Sequence, residues 1–237
     1  MLIHGPSLAI GAAIASVSII IVFLAFNTIN DEPKLVIEPA QKSQELISTN
    51  IIYSTIMENG SPILGNLDAP ITLIEFGDYQ CHFCNVHFHN TEHSLLQNFI
   101  YAGKVKMIFK DFTIIGPDSV NAAHGTHCAN DQGKFWEYHD ILYNNWTGEN
   151  NGWASSDNLL RFSQEIELDV DQWSDCMIEE RYSQIISNSS KDARDLGITG
   201  TPAFFVVGPD NKITRLFGAQ PYESFEKIFN SELEKLS

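Results

Sequence analysis

Residues 71–84 read ITLIEFGDYQCHFC, and this stretch decides the fold. Ile71–Phe76 is rich in β-branched and aromatic residues and is bounded by a proline and a glycine, which predicts a strand. A helical pattern runs from Cys84 to Ile100, with several large apolar residues near one face. Cys81 and Cys84 are therefore expected where a strand has just ended and a helix begins.

The spacing of these two cysteines predicts redox chemistry. The first turn of a helix has unpaired N–H groups and a partial positive charge. A thiolate placed there is stabilised, so its pKa falls. Two intervening residues bring the sulfurs within bonding reach in one helical turn. We expect Cys81 to attack, Cys84 to resolve the mixed disulfide, and His82, as a cation between the sulfurs, to favour the thiolate.

Zinc binding is the competing interpretation, because C-x2-C can be half of a zinc site. His82, His87, His89 and His93 crowd the same stretch, and His89 and His93 share one helix face. All of these candidates lie on one helix, which cannot wrap a tetrahedral ion around the cysteine pair. We therefore expect no metal site, and we expect the helix histidines to form a solvated face.

The rest of the chain predicts an α/β layer with a helical insert at about residues 117–195. Between Asp118 and Asp195 the pattern is mostly helical. Ile51–Met57, which precedes the turn sequence Asn59-Gly60, is a candidate for an extra edge strand. Three more strands and a final helix are predicted at Val105–Phe109, Ala203–Val207, Ile213–Phe217 and Phe225–Leu236.

Several motifs, in this order, resemble the DsbA-like thiol–disulfide oxidoreductases, which have a thioredoxin fold with a helical insert. The resemblance runs from about Ile63 to Leu236. It is carried by residues 68–70 (DAP), 75–81 (EFGDYQC), 110–112 (KDF), 128–129 (CA), 132–140 (QGKFWEYHD) and 196–205 (LGITGTPAFF).

The resemblance implies roles for matching positions. Cys81 would be the nucleophile and Cys84 the resolving thiol. Thr201 and Pro202 would form the substrate-binding loop that faces them, with Pro202 in the cis form, exposing the preceding backbone for pairing with a peptide. Glu75 would be a buried acid that moves the proton of the resolving thiol, and burial should raise its pKa.

The residues between the cysteines depart from the family pattern. The best-known oxidases of the family carry Pro and then His there, whereas this chain has His82 and then Phe83. These two residues are expected to modulate the active site, but the strength of oxidation does not carry over. Oxidase, isomerase and reductase activities therefore all stay open.

Cys128 and Cys176 both fall in the helical insert, where buried free thiols and a structural disulfide compete. An oxidising, extracytoplasmic location favours the disulfide, and some relatives have one in this block. We predict a Cys128–Cys176 disulfide. Neither cysteine has a neighbour in a C-x-x-C pattern, so a second redox centre is not expected.

The N-terminus predicts the compartment. Residues 7–26 read SLAIGAAIASVSIIIVFLAF, long and apolar enough to span a bilayer. The candidate signal cleavage site has a bulky Phe23, so a retained anchor is favoured over a cleaved signal. We expect a membrane anchor at residues 1–27, a tether at 28–50 and a DsbA-type domain at 51–237, located outside the cytoplasm.

Composition excludes some function classes. The 237 residues carry 14 Lys and Arg against 30 Asp and Glu, a net charge of −16. Such a charge argues against nucleic-acid binding, which needs cations for phosphate, and against binding at an anionic membrane surface. The chain also lacks a P-loop and a G-x-G-x-x-G after a strand, so no nucleotide cofactor is indicated.

These observations together predict a membrane-tethered thiol–disulfide oxidoreductase that forms or exchanges disulfides in exported proteins. The Cys81–Cys84 disulfide is itself the redox group, so no bound cofactor is expected. By resemblance, a membrane quinone-linked partner would accept the electrons. The alternatives are a reductase or isomerase on the same fold and a non-enzymatic metal-binding or chaperone module.

Overall fold

The computed structural model describes residues 52–236. The predicted membrane anchor and the whole predicted tether therefore lie outside the described residues. In the described part, no helix combines the length and apolar character that crossing a bilayer requires.

A four-stranded mixed sheet forms the centre of the described domain. Its strands are β1 (Ile71–Gly77), β2 (Val105–Asp111), β3 (Ala203–Val207) and β4 (Ile213–Phe217). They lie in the order β2-β1-β3-β4, with β1 parallel to β2 and the other pairs antiparallel. This is the thioredoxin-type sheet that the sequence predicts. All seven residues of β1 are buried because the strand is central and covered on both faces.

One continuous helical stretch, α1, connects β1 to β2. It consists of α-helical His82–His87, π-helical Phe88–Glu92, α-helical His93–Leu95 and π-helical Leu96–Ile100. Gly103 then turns the chain towards β2 with a φ of +72°, a conformation that glycine adopts without steric cost. The parallel pairing of β1 and β2 requires such a crossover, and it places the start of α1 beside the end of β1.

The segment between β2 and β3 is helical, as its sequence pattern indicates, and a last helix follows β4. The helices are α2 (Pro117–Asn130), α3 (Phe135–Asn144), α4 (Ser156–Glu165), α5 (Val170–Ile178), α6 (Ser183–Asp195) and α7 (Tyr222–Glu234). Pro117 occupies the start of α2, where a missing N–H costs nothing.

The edge strand predicted at Ile51–Met57 is wrong, because residues 52–57 are helical. Lys110 on β2 donates from its ammonium group to the carbonyl oxygens of Thr55 and Glu58, and a cation stabilises the carbonyl end of a helix. The edge of β2 is instead paired by a later residue. Leu64 forms an antiparallel bridge with Met107, with two N–H to O distances of 2.9 Å.

The insert has a core of its own, and a disulfide crosses it. Cys128 on α2 and Cys176 on α5 are bonded, with a Cα–Cα distance of 5.8 Å and a sequence separation of 48. Both are fully buried among the aromatic residues of the insert. Trp173 adds a second link between α5 and α2 by donating from Nε1 to the carbonyl of Gly125 at 2.9 Å.

Replacing both Cys128 and Cys176 by serine is expected to lower the melting temperature by about 10 °C. Closing a loop of this size restricts the unfolded chain by about 4 kcal/mol. Calorimetry of the oxidised proteins measures the shift, with Cys81→Ser as the control that leaves the insert intact. An unchanged melting temperature in the double variant would show that this disulfide contributes no stability.

Candidate active site

Cys81 caps the N-terminus of α1, directly after the turn that leaves β1. Its backbone is extended, with φ −68° and ψ 125°, and its carbonyl accepts the first helical bond from the N–H of Asn85 at 3.1 Å. The free N–H groups of the first turn therefore surround its sulfur. Both Cys81 and Cys84 are free thiols, 5% and 1% exposed respectively.

The turn before Cys81 is held by a buried carboxylate. Asp78 accepts hydrogen bonds from the N–H groups of Gln80, Ile114 and Ile115 at 2.8 to 3.0 Å. Burial raises the pKa of Asp78 and these bonds oppose the increase. This carboxylate ties the β1–α1 turn to the loop that follows β2, so the cysteine has a fixed position.

The insert also holds this turn, through Gln80. The Gln80 carbonyl accepts from Trp146 Nε1 at 2.9 Å, and its side-chain oxygen accepts from the N–H of Asn150 at 2.8 Å. The sequence pattern does not mark Asp78 or Gln80 as functional residues, although both stand in the run 75–81 that carries the family resemblance. Trp146 and Asn150 had no local signal.

The two cysteines have pKa values shifted in opposite directions. The pKa of Cys81 is lowered from 9.0 to about 6, mainly because the Cys84 thiol donates to its thiolate. The Thr201 hydroxyl and the N–H groups of Phe83 and Cys84 add to this, while burial opposes it. Burial, and then the neighbouring Cys81, raise the pKa of Cys84 well above its usual value. At neutral pH Cys81 therefore favours the thiolate, and Cys84 favours the protonated thiol.

The Thr201–Pro202 loop faces the cysteine pair. The peptide bond between the two residues is cis, and the Cys81 thiol donates to the Thr201 carbonyl at 3.3 Å. The buried Thr201 hydroxyl has no hydrogen-bond partner in the described part of the chain when Cys81 is a thiol, so it can donate to the thiolate. The Pro202 carbonyl accepts from the N–H of Gly218 at 2.8 Å, which anchors the loop beside β4.

Glu75 lies in the middle of the sheet, where it pairs with Phe109 on β2 and Phe204 on β3. It is 1% exposed, and burial raises its pKa well above 4.5, followed by the negative charges of Glu92 and Cys81. Its Oε2 atom is 3.8 Å from Nε2 of His87. The structure thus provides a buried carboxyl that favours the protonated state behind the cysteine pair.

His82 and Phe83 are exposed beside the cysteines. The His82 ring packs against Phe83 and Trp146, with centroid distances of 5.2 and 5.6 Å. The backbone N–H of His82 donates to the Glu149 carboxylate at 3.0 Å. The groups that lower the pKa of Cys81 most are hydrogen-bond donors, and His82 is not among them. The expectation that a charge on His82 favours the Cys81 thiolate stays a prediction.

The helix histidines do not all form a solvated face as expected. His89 and His93 are exposed, but His87 is fully buried because it lies one turn after Cys84, on the face of α1 that meets the sheet. Burial lowers the pKa of His87 to about 4. Among described residues, two sets of donor atoms are close enough to hold a metal ion: Glu75, His87 and Glu92, and Glu92, His139 and Asp140.

A thioredoxin family model matches residues 57–230. The chain is 29% identical over 228 residues to a probable disulfide bond formation protein D of Bacillus cereus, and the match covers 93% of each chain.

Two solved structures share the fold. The oxidised BdbD of Bacillus subtilis is 24% identical, with a TM-score of 0.66, over 75% of this chain and 95% of that one. The α-DsbA1 of Wolbachia pipientis is also 24% identical, with a TM-score of 0.67, over 76% of this chain and 96% of that one. The chain therefore belongs to the thioredoxin family, as one of its DsbA-like thiol–disulfide oxidoreductases.

Proposed function

We propose that this protein forms or exchanges disulfides in exported proteins through Cys81 and Cys84, with its domain outside the cytoplasm and residues 7–26 as its membrane anchor. The observation that carries the proposal is the free Cys81 sulfur at the N-terminus of α1, 3.3 Å from the carbonyl oxygen of Thr201 in the cis Thr201–Pro202 loop. The relatives named as disulfide bond formation proteins support disulfide formation as the direction of the reaction.

In the oxidising direction, a substrate thiolate attacks Cys81 of the Cys81–Cys84 disulfide. The bond between the two enzyme sulfurs breaks, a substrate–Cys81 disulfide forms, and Cys84 leaves and takes up a proton. A second substrate thiolate then attacks the substrate sulfur, and Cys81 leaves as a thiolate. The substrate loses two electrons and the enzyme gains them, to be passed on to the quinone-linked membrane partner.

The lowered pKa of Cys81 favours this direction because it stabilises the reduced enzyme. With a pKa of about 6 instead of 9.0, the gain at pH 7 is about 1.4 kcal/mol, equivalent to roughly 30 mV for a two-electron couple. Thioredoxin and DsbA differ by about 150 mV. The lowered pKa of Cys81 therefore accounts for about a fifth of that difference, and a measured potential is needed to separate an oxidase from a reductase or an isomerase.

Substrate recognition is proposed to use the loop beside the cysteines. Pro202 has no N–H and its cis form turns the chain, so the backbone at Thr201 is available to pair with an extended peptide. Phe83, with 58% of its surface exposed, offers an apolar contact next to the sulfur. A peptide held there would place its own sulfur against Cys81, independently of most of its sequence.

The proposed anchor would assist the transfer of electrons from the reduced enzyme to its membrane partner, rather than the exchange reaction at the sulfur of Cys81. Holding the enzyme and a membrane partner in one plane raises their effective concentration without new contacts. No bound cofactor is required for the proposed reaction, because the cysteine pair carries both electrons.

Glu75→Gln is expected to slow the reoxidation of the reduced enzyme at least tenfold, because an amide cannot relay the proton that Cys84 must lose. Stopped-flow fluorescence with a small disulfide oxidant measures this rate, and an unchanged rate would remove Glu75 from the mechanism.

Burial raises the pKa of Glu75, so its ionisation destabilises the fold increasingly as pH rises above 4.5. The Gln variant should therefore be at least as stable as the parent at pH 8, and equally stable below pH 4.5.

The reduction potential of the Cys81–Cys84 pair, measured against glutathione buffers, tests the proposed function. A value near −120 mV is expected for a disulfide-forming enzyme, and one near −270 mV would identify a reductase instead. Cys81→Ser should abolish the oxidation of a reduced, unfolded protein substrate, whereas Cys128→Ser with Cys176→Ser should retain it. Activity that survives Cys81→Ser would contradict the proposal.

A further inference from the structure

A groove of about 350 Å³ lies between α1 and α3, outside the cysteine site. Histidines, carboxylates and an amide form its polar lining: His89, Glu92, His93, Asp140 and Asn144. None of these residues touches the sulfurs in the proposed disulfide chemistry, although the charge of Glu92 contributes to the raised pKa of Glu75. Two helices from different parts of the chain supply them. Unlike the histidines next to the cysteine pair, which all lie on α1, these groups can therefore surround an ion from two sides.

The donor atoms of Glu92, His139 and Asp140 lie within 4.8 Å of one another. Oε1 of Glu92 is 3.8 Å from Nε2 of His139, too far for a hydrogen bond. Two ligands that each lie about 2.1 Å from a zinc ion, at an angle of about 110 to 130°, are separated by about 3.4 to 3.8 Å. The spacing therefore matches two ligands of a common ion.

The ring of His139 is held with one nitrogen ready for a ligand. Its Nδ1 atom forms a hydrogen bond of 3.1 Å with the hydroxyl of the buried Tyr79. Its Nε2 atom is buried and has no hydrogen-bond partner among the described residues. A metal-binding histidine typically has this arrangement, because a polar partner on the second nitrogen fixes the ring and leaves the first nitrogen for the metal.

The charges around Glu92 also favour a cation. Glu92 is 2% exposed, and within residues 52–236 its ion-pair partner is His139, with no Lys or Arg beside it. A buried carboxylate without a cation is unfavourable. Asp140 is exposed at the same place and gives an ion a route from solvent. The net charge of −16 adds a general attraction for cations.

We propose that the groove between α1 and α3 binds one divalent transition-metal ion through Glu92, Nε2 of His139 and Asp140. One histidine and two carboxylates suit Zn²⁺, and the open side of the groove leaves a position for water. The ion joins α1, which carries the cysteine pair, to α3 of the insert. This metal site is separate from the proposed disulfide exchange and does not depend on it.

The test is a calorimetric titration of the metal-free full-length chain with Zn²⁺. Cys81 and Cys84 are kept as a disulfide, so that their thiols cannot bind the metal. We expect one ion per chain. Asp140→Asn and Glu92→Gln should each weaken binding at least tenfold, and Zn²⁺ should raise the melting temperature of the parent more than that of either variant.

Glu137→Gln is the matched control, because it removes the same charge from an exposed position on the same helix as Asp140. Its affinity for Zn²⁺ should fall far less than that of Asp140→Asn, because Glu137 acts on Asp140 only through its charge and is not one of the proposed ligands. Since Glu92 is buried, its variant can misfold, and the exposed Asp140 then carries the test. Absence of stoichiometric binding, or equal affinities for Asp140→Asn and Glu137→Gln, would overturn the proposal. So would binding that requires the reduced cysteine pair.

Discussion

The active site depends on the stabilisation of one sulfur anion at the beginning of α1. Cys81 lies where the N–H groups of the first turn are unpaired, and Cys84 and Thr201 add hydrogen bonds to its thiolate. Different parts of the fold hold these donors in place. The helix start follows from the end of β1, and the Thr201 loop is anchored next to β4.

The same fold gives the two cysteines opposite properties although they are three residues apart. Cys81 is lined by donors that favour the anion, whereas Cys84 points into the core, where burial disfavours it. Glu75 shares that interior and is held towards its neutral form for the same reason. The first residue of α1 is surrounded by donors, and the next turn packs against the sheet. Cys81 therefore favours the attacking thiolate, whereas Cys84 favours the protonated thiol.

Much of this arrangement could be predicted from the sequence, because it rests on local patterns. The strands, the insert and the position of Cys81 follow from periodicity and spacing. What could not be predicted depends on contacts between distant segments. Lys110 contacts the carbonyl groups of Thr55 and Glu58 at the end of helical residues 52–57, and His139 meets Glu92 only after α3 packs against α1.

The most direct test of the central claim is the ionisation of Cys81 in the reduced protein, followed by the ultraviolet absorbance of the thiolate as pH is varied. The account predicts a midpoint near pH 6, which Cys81→Ser abolishes and Cys128→Ser with Cys176→Ser preserves. A single midpoint near pH 9, the ordinary value for a cysteine in the absence of such donors, would contradict it.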